Sequence, residues 1–197
     1  MPKMSQINLK KIENKNTELL EIDGNIFGIE VKIIIVYFDA NRDDTGKVRN
    51  KKLKKIIEKK IEQNEKEGLI IAGDFNGHIR IIDEREDING KMITEWVEGY
   101  EMILLNLDEK CEGKYTRIRG EQKTTVDYIL VNKKIYDSFE NMKIDEEKEL
   151  IENSDHVVMS MKLKVENGNN GFKKTKWKIK EFLSEEEKDI EELAEKI

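Results

Sequence analysis

Leu69-Ile70-Ile71-Ala72-Gly73-Asp74-Phe75-Asn76 decides the fold, because four consecutive apolar residues followed by glycine and polar groups describe a strand buried on both faces that ends in a site. Such a strand needs a layer on either side of it. Upstream, Leu53, Ile56, Ile57 and Ile61 recur at helical spacing among lysines and glutamates, which predicts an amphipathic helix ending near Gly68. Before it, residues 18–22 and 29–38 are β-rich runs separated by Asp23-Gly24-Asn25, whose small polar residues suit a tight turn, so they read as a hairpin. Downstream, residues 73–90 read as an acidic loop, and Ile93, Trp96, Val97 and Tyr100 mark a second amphipathic helix. Tyr115-Thr116 and residues 126–131 read as strands. Residues 145–152 are a charged connection, and residues 157–163 alternate apolar with polar or small residues, as a half-buried strand should.

Strands alternating with helices, plus a hairpin, predict a mixed α/β (α+β) sandwich with sheets covered by helices. The expected organisation is a poorly defined start at 1–17, one folded unit at 18–165, and a linker with a charged helical tail at 166–197. The Asn- and Gly-rich stretch 166–171 is the linker, and Ser184 with Glu187 forms a capping-box signature opening the tail helix.

The chain has 197 residues, enough for one domain with a substantial core. Charged residues make up 40% and hydrophobic residues 37%, but the apolar ones are clustered in runs, as a folded centre with solvated connections requires. A net charge of −6 excludes nucleic-acid binding by bulk electrostatics, so any such contact must be local, and the basic segments 47–60 and 173–180 are the candidates. Cys111 is the only cysteine, which excludes an internal disulfide and a thiolate metal cluster and fits a reducing compartment. No apolar run approaches the roughly 20 residues needed to span a bilayer, and the start lacks a signal-peptide core. The expectation is an intracellular protein, nuclear or cytoplasmic, not secreted and without a membrane partner.

Asp74 and Asn76, two apart at a strand's carboxyl end, place their side chains on one side, where a carboxylate and a carboxamide can hold a hard cation and a phosphate oxygen. Asp127 lies between Val126 and Tyr128, where a buried carboxylate requires a donor. His156 is the candidate, since a carboxylate on one ring nitrogen fixes the tautomer and favours an imidazolium that binds phosphate. Asp155 can add a metal oxygen, and Tyr37, closing the run 33–36, can donate to phosphate. Each also has a plain structural reading, as turn residues at Gly73-Asp74 and Asn76-Gly77, a backbone-bonded Asp127, a capping Asp155 and a core Tyr37. His78 reads as a loop residue outside this group.

Taken in order, Val36-Tyr37-Phe38, Ile71-Ala72-Gly73-Asp74-Phe75-Asn76, Val126-Asp127-Tyr128-Ile129-Leu130 and Ser154-Asp155-His156 resemble the endonuclease/exonuclease/phosphatase superfamily, closest to the endonuclease domains of non-LTR retrotransposons. Lys114-Tyr115-Thr116 and the basic segment 173–180 with Trp177 are similar to parts of those domains. The resemblance covers roughly residues 18–163. It implies part of a four-layer α/β/β/α fold and a Mg²⁺-dependent (or Mn²⁺-dependent) DNA phosphodiesterase. It implies that Asp74 orients or deprotonates water, that Asn76 and Tyr37 position the phosphate, that His156 stabilises the transition state with Asp127 orienting it, and that Asp155, with Asp74 and Asn76, serves the metal.

The resemblance also implies two site residues this chain does not show, a strand-ending asparagine and a metal-binding glutamate, since only 36 residues precede Tyr37. The expectation is an amino-terminally truncated domain lacking its first strands, with weak or no activity and an open sheet edge that favours poor solubility or association with another chain. Two alternatives stand beside the nuclease: a non-catalytic nucleic-acid-binding or assembly remnant, and a phosphatase acting on a lipid or small-molecule phosphate.

Overall fold

The computed structural model describes residues 10–12, 18–26, 28–40, 43–64, 66–151 and 153–164. The expected linker at 166–171, basic segment at 173–180 and capped tail helix lie outside the described residues, as does most of the expected start at 1–17.

The chain opens with β1 (Lys10–Ile12), then pairs β2 (Leu19–Ile26) with β3 (Ile29–Tyr37) in an antiparallel hairpin. The hairpin is where the sequence predicts it, but the turn is not. Asp23-Gly24-Asn25 lies inside β2, and the chain reverses at Gly28, whose φ is 90° and whose N–H donates to Asn25 Oδ1 at 2.7 Å. The long run of β3 needs a partner of matching length, and an unbroken ladder from Leu19↔Val36 to Ile26↔Ile29 outweighs the local turn tendency of three small residues. Asp23 is thereby placed opposite Lys32 and ion-paired with it.

Helix α1 (Asp44–Gln63) starts where the Asp43 carboxylate accepts from Gly46 N–H at 2.7 Å, and it buries Leu53, Ile57 and Ile61 along one stripe. It crosses over to β4 (Gly68–Asp74), which lies parallel to β3. The expected acidic loop contains a short turn of helix, α2 (Arg80–Asp83), before α3 (Ile88–Gly99). Next come β5 (Ile103–Leu104), a 3₁₀ turn at Leu105–Leu107, β6 (Cys111–Glu112) and the ribbon β7 (Arg117–Arg119) with β8 (Gln122–Thr124). The strand expected at Tyr115-Thr116 begins two residues later, because Thr116 is committed through its hydroxyl to the turn before β9 (Asp127–Val131). The short α4 (Lys133–Tyr136), β10 (Phe139–Ile144) and β11 (Met159–Leu163) complete the described chain.

The main sheet has the order β1-β2-β3-β4-β9-β5, and a second sheet runs β11-β10-β6. Alternation along β4 and β9 sends Leu69, Ile71, Tyr128 and Leu130 towards α1 and α3, and Ile70, Ile129 and Val131 towards the second sheet. The layers among the described residues are therefore helices, six-stranded sheet and three-stranded sheet, with one core in each gap. In the helix-side core Phe75 meets Phe38, Trp96 and Tyr128 with ring centroids 5.4–6.2 Å apart, contacts worth about 0.5–1.5 kcal/mol each, which clamps the residue between Asp74 and Asn76. No helix among the described residues is long and apolar enough to cross a membrane.

Candidate metal and phosphate site

The strand ends bring the site together. Tyr37 is the last residue of β3, Asp74 the last of β4 and Asp127 the first of β9, and the ladders set Tyr37 beside Asp74 and Asp74 beside Asp127. Gly73 permits this ending. Its φ is 143°, and a Cβ there would stand 2.0 Å from the Val36 carbonyl oxygen, so only glycine fits so close to β3.

His156 arrives from the other end of the chain. It bridges to Arg117, with Ile118 N–H donating to Asp155 O at 2.7 Å and Val157 N–H donating to Thr116 O at 2.9 Å. The approach to β11 is thus pinned beside β7. His156 Nδ1 lies 2.9 Å from Asp127 Oδ2 and 3.1 Å from Oδ1, while Nε2 points towards Asp74, 4.0 Å from its Oδ2. The Thr116 hydroxyl, fully buried, accepts the N–H groups of Val126 and Asp127 at 3.0 Å each and so fixes the start of β9.

Burial pushes the Asp74 carboxyl up from the usual carboxylate range, and the neighbouring Asp127 charge adds to this, while the Asn76 N–H bond and His156 pull the other way. Asp127 is also raised, chiefly by burial, against the lowering influence of Thr116 and His156. Asp74, Asp127 and His156 each offer a ligand atom, all within 4.8 Å of one another. Two desolvated carboxylates and an imidazole are a donor set that a divalent cation fits, because its charge relieves the repulsion that raises both acids.

The remaining expected site residues fall around this centre. Asn76, with φ 43°, donates its N–H to Asp74 Oδ1 at 2.8 Å and its amide Nδ2 to Phe38 O at 2.9 Å. Tyr37 is 53% exposed at the rim, so the buried-core alternative for it is set aside. Asp155 stands outside the close group, its Oδ2 2.8 Å from both Nε and Nη2 of Arg117, whose hydrogen bond, and then its charge, hold the carboxyl below the usual range. His78 is in a loop, as expected, but has partners of its own: Asp83 at 2.8 Å from Nδ1 and Arg85 at 2.7 Å from Nε2.

Three groups of neighbours escaped the sequence reading. Thr116 carries only the signal of a strand residue in the sequence, and nothing local reveals that its hydroxyl holds the start of β9 at Asp127. Arg117, Arg119 and Lys123 sit on the β7–β8 ribbon next to His156, and alternating arginines around Gly120 were the available signal. Asn50 and Asn89, both buried and joined at 3.1 Å, brace the loops behind the site; Asn89 Nδ2 donates to Asp39 O, Phe75 O and Asn76 O at 2.8–3.2 Å. Isolated asparagines between apolar helical positions gave no sign of this.

A family model described as endonuclease-reverse transcriptase matches residues 31–160. Among solved structures, the endonuclease domain of TRAS1, a telomere-specific non-LTR retrotransposon, is similar at 18% identity and TM-score 0.62, over 81% of this chain and 69% of that one. A 3′-5′ exonuclease, NExo, from Neisseria meningitidis aligns at 15% identity and TM-score 0.61, over 81% and 70% of the two chains. A structure of the 3′ phosphatase NExo from Neisseria bound to a product DNA hairpin aligns at 13% identity and TM-score 0.59, over 79% and 70%. No curated protein sequence matches the chain.

Proposed function

Since the chain belongs to the endonuclease/exonuclease/phosphatase superfamily, through the family described as endonuclease-reverse transcriptase, we propose that its strand-end site is that of a divalent-metal-dependent DNA endonuclease. The observation that carries this reading is the line Asp127–His156–Asp74, in which one ring nitrogen is held by a carboxylate and the other faces a second carboxylate across a gap. The unit carrying it would span residues 18–165.

Asp127 accepts from His156 Nδ1, which fixes the ring so that Nε2 is the nitrogen left to face a phosphate. Asp74, raised by burial, is suited to orient an attacking water and accept its proton. Asn76 holds Asp74 by its backbone N–H and by its side-chain amide, which is braced on Phe38 O, and Tyr37, exposed next to Asp74, offers a hydroxyl donor at the rim. Mg²⁺ or Mn²⁺ would be held by Asp74 with Asp127 or Asn76; Asp155, anchored by Arg117, would serve the leaving-group side. When bound, the ion polarises the phosphoryl oxygen and neutralises the departing alkoxide. DNA would be met locally by Arg117, Arg119 and Lys123, which places positive charge at the site despite the net charge of −6.

Nicking of supercoiled plasmid in Mg²⁺ or Mn²⁺ tests the proposal. Asp74→Ala and His156→Ala should each lower the rate by on the order of 10²-fold or more. A protein that leaves plasmid intact at every metal concentration would sink it. Release of phosphate from a 3′-phosphorylated oligonucleotide without nicking would instead assign the site to monoester hydrolysis, the activity named for one structural neighbour.

A further inference from the structure

We propose that residues 184–197 of this same chain dock into the groove between α1 and α3. The two helices leave a groove of about 510 Å³ on the face away from the second sheet. Its floor holds Met92 and two exposed apolar side chains, Val48 and Ile88, 51% and 54% accessible. Its rim carries Lys51, Lys55 and Lys91, all exposed and none in an ion pair among the described residues. Lys54 differs, being bridged to Glu58 at 2.5 Å and to Glu95 at 3.2 Å.

Unneutralised lysines call for an acidic partner, and the exposed apolar floor selects a peptide over a phosphate backbone, which has no side chains to bury there. Residues 184–197 supply both. They include seven acidic residues against two lysines, and Ile190, Leu193 and Ile197 recur at spacings of three and four, the pattern that predicts a single apolar stripe on a helix capped by the Ser184–Glu187 box. A helix of about fourteen residues is marginal alone in water, so the helix the sequence predicts here gains from a surface to rest on. The connection is long enough: the nineteen residues between Lys164 and Ser184 can span about 63 Å, against roughly 40 Å across a domain of this size. Tethering also keeps the local concentration of the segment high.

Amide hydrogen exchange on the full chain tests this. Exchange at residues 188–197 should be at least about tenfold slower than in a synthetic peptide of residues 184–197 under the same conditions. Val48→Asp with Ile88→Asp should restore peptide-like exchange. Lys51→Glu with Lys55→Glu should do so in part, and Glu191→Lys with Glu195→Lys in the same chain should recover the protection. Peptide-like exchange in the parent, protection indifferent to Val48→Asp/Ile88→Asp, or protection that grows with protein concentration, which marks a second copy, would each overturn it. So would loss of DNA binding in Val48→Asp/Ile88→Asp with tail exchange unchanged, which would give the face to nucleic acid.

Discussion

The two ring nitrogens of His156 face different chemistry, and Asp127 decides which does what. Asparagine at 127 keeps the shape but can present an N–H to Nδ1, which shifts the ring proton to Nε2 and removes the carboxylate that orients the imidazole. Asp127→Asn should therefore cut cleavage by about 10- to 100-fold with little change in Tm, read by parallel nicking and thermal-melt assays. Cys111 gives a pH prediction. Burial pushes its thiol from 9.0 up to about 11, so the folded state disfavours the thiolate at every pH below that value. Alkylation by iodoacetamide at pH 8 should run on the order of 10²-fold slower than for an unperturbed thiol and rise tenfold per pH unit towards pH 11, followed by mass spectrometry. At this scale the sequence named the donor to Asp127, because an unpaired carboxylate among apolar residues demands one and the chain offers only two histidines. The Arg117–Asp155 pair was illegible, since it depends on how two loops run beside each other.

Among the elements, the strand at residues 69–72 was readable because burial on both faces leaves a continuous apolar run, and both long helices were readable from their stripes. Strand β10 was not. A bulge between Phe139 and Asn141 breaks its alternation, so Phe139, Met142 and Ile144 do not fall on one period. The turn before β9 rests on one hydroxyl, and replacing it leaves two buried N–H groups without an acceptor. Thr116→Val should cost about 1–3 kcal/mol, seen in denaturant unfolding as a lower midpoint with unchanged slope. Gly73→Ala should cost at least as much, because the left-handed φ and the Val36 carbonyl leave no room for a methyl group.

Over the whole molecule, the sandwich was legible from one doubly buried strand, while the pairing of the second sheet was not, because β6 and β10 are joined in parallel across a long stretch of sequence. Bringing Asp74 and Asp127 together in a desolvated corner costs stability that a bound cation returns to the entire domain. Mg²⁺ at about 100 times its dissociation constant should raise stability by about 2.7 kcal/mol, and Asp74→Asn should abolish the metal-dependent rise in Tm measured by calorimetry. The site is also spread along the chain in time. Asp74 leaves the ribosome first, Asp127 follows, and the imidazole that shares their charge is made 29 residues after Asp127. Until then a growing chain can close β4 against β9 only by pressing two acids together with Arg117 but not His156 to offset them, so vectorial synthesis disfavours the active corner until the imidazole has been made.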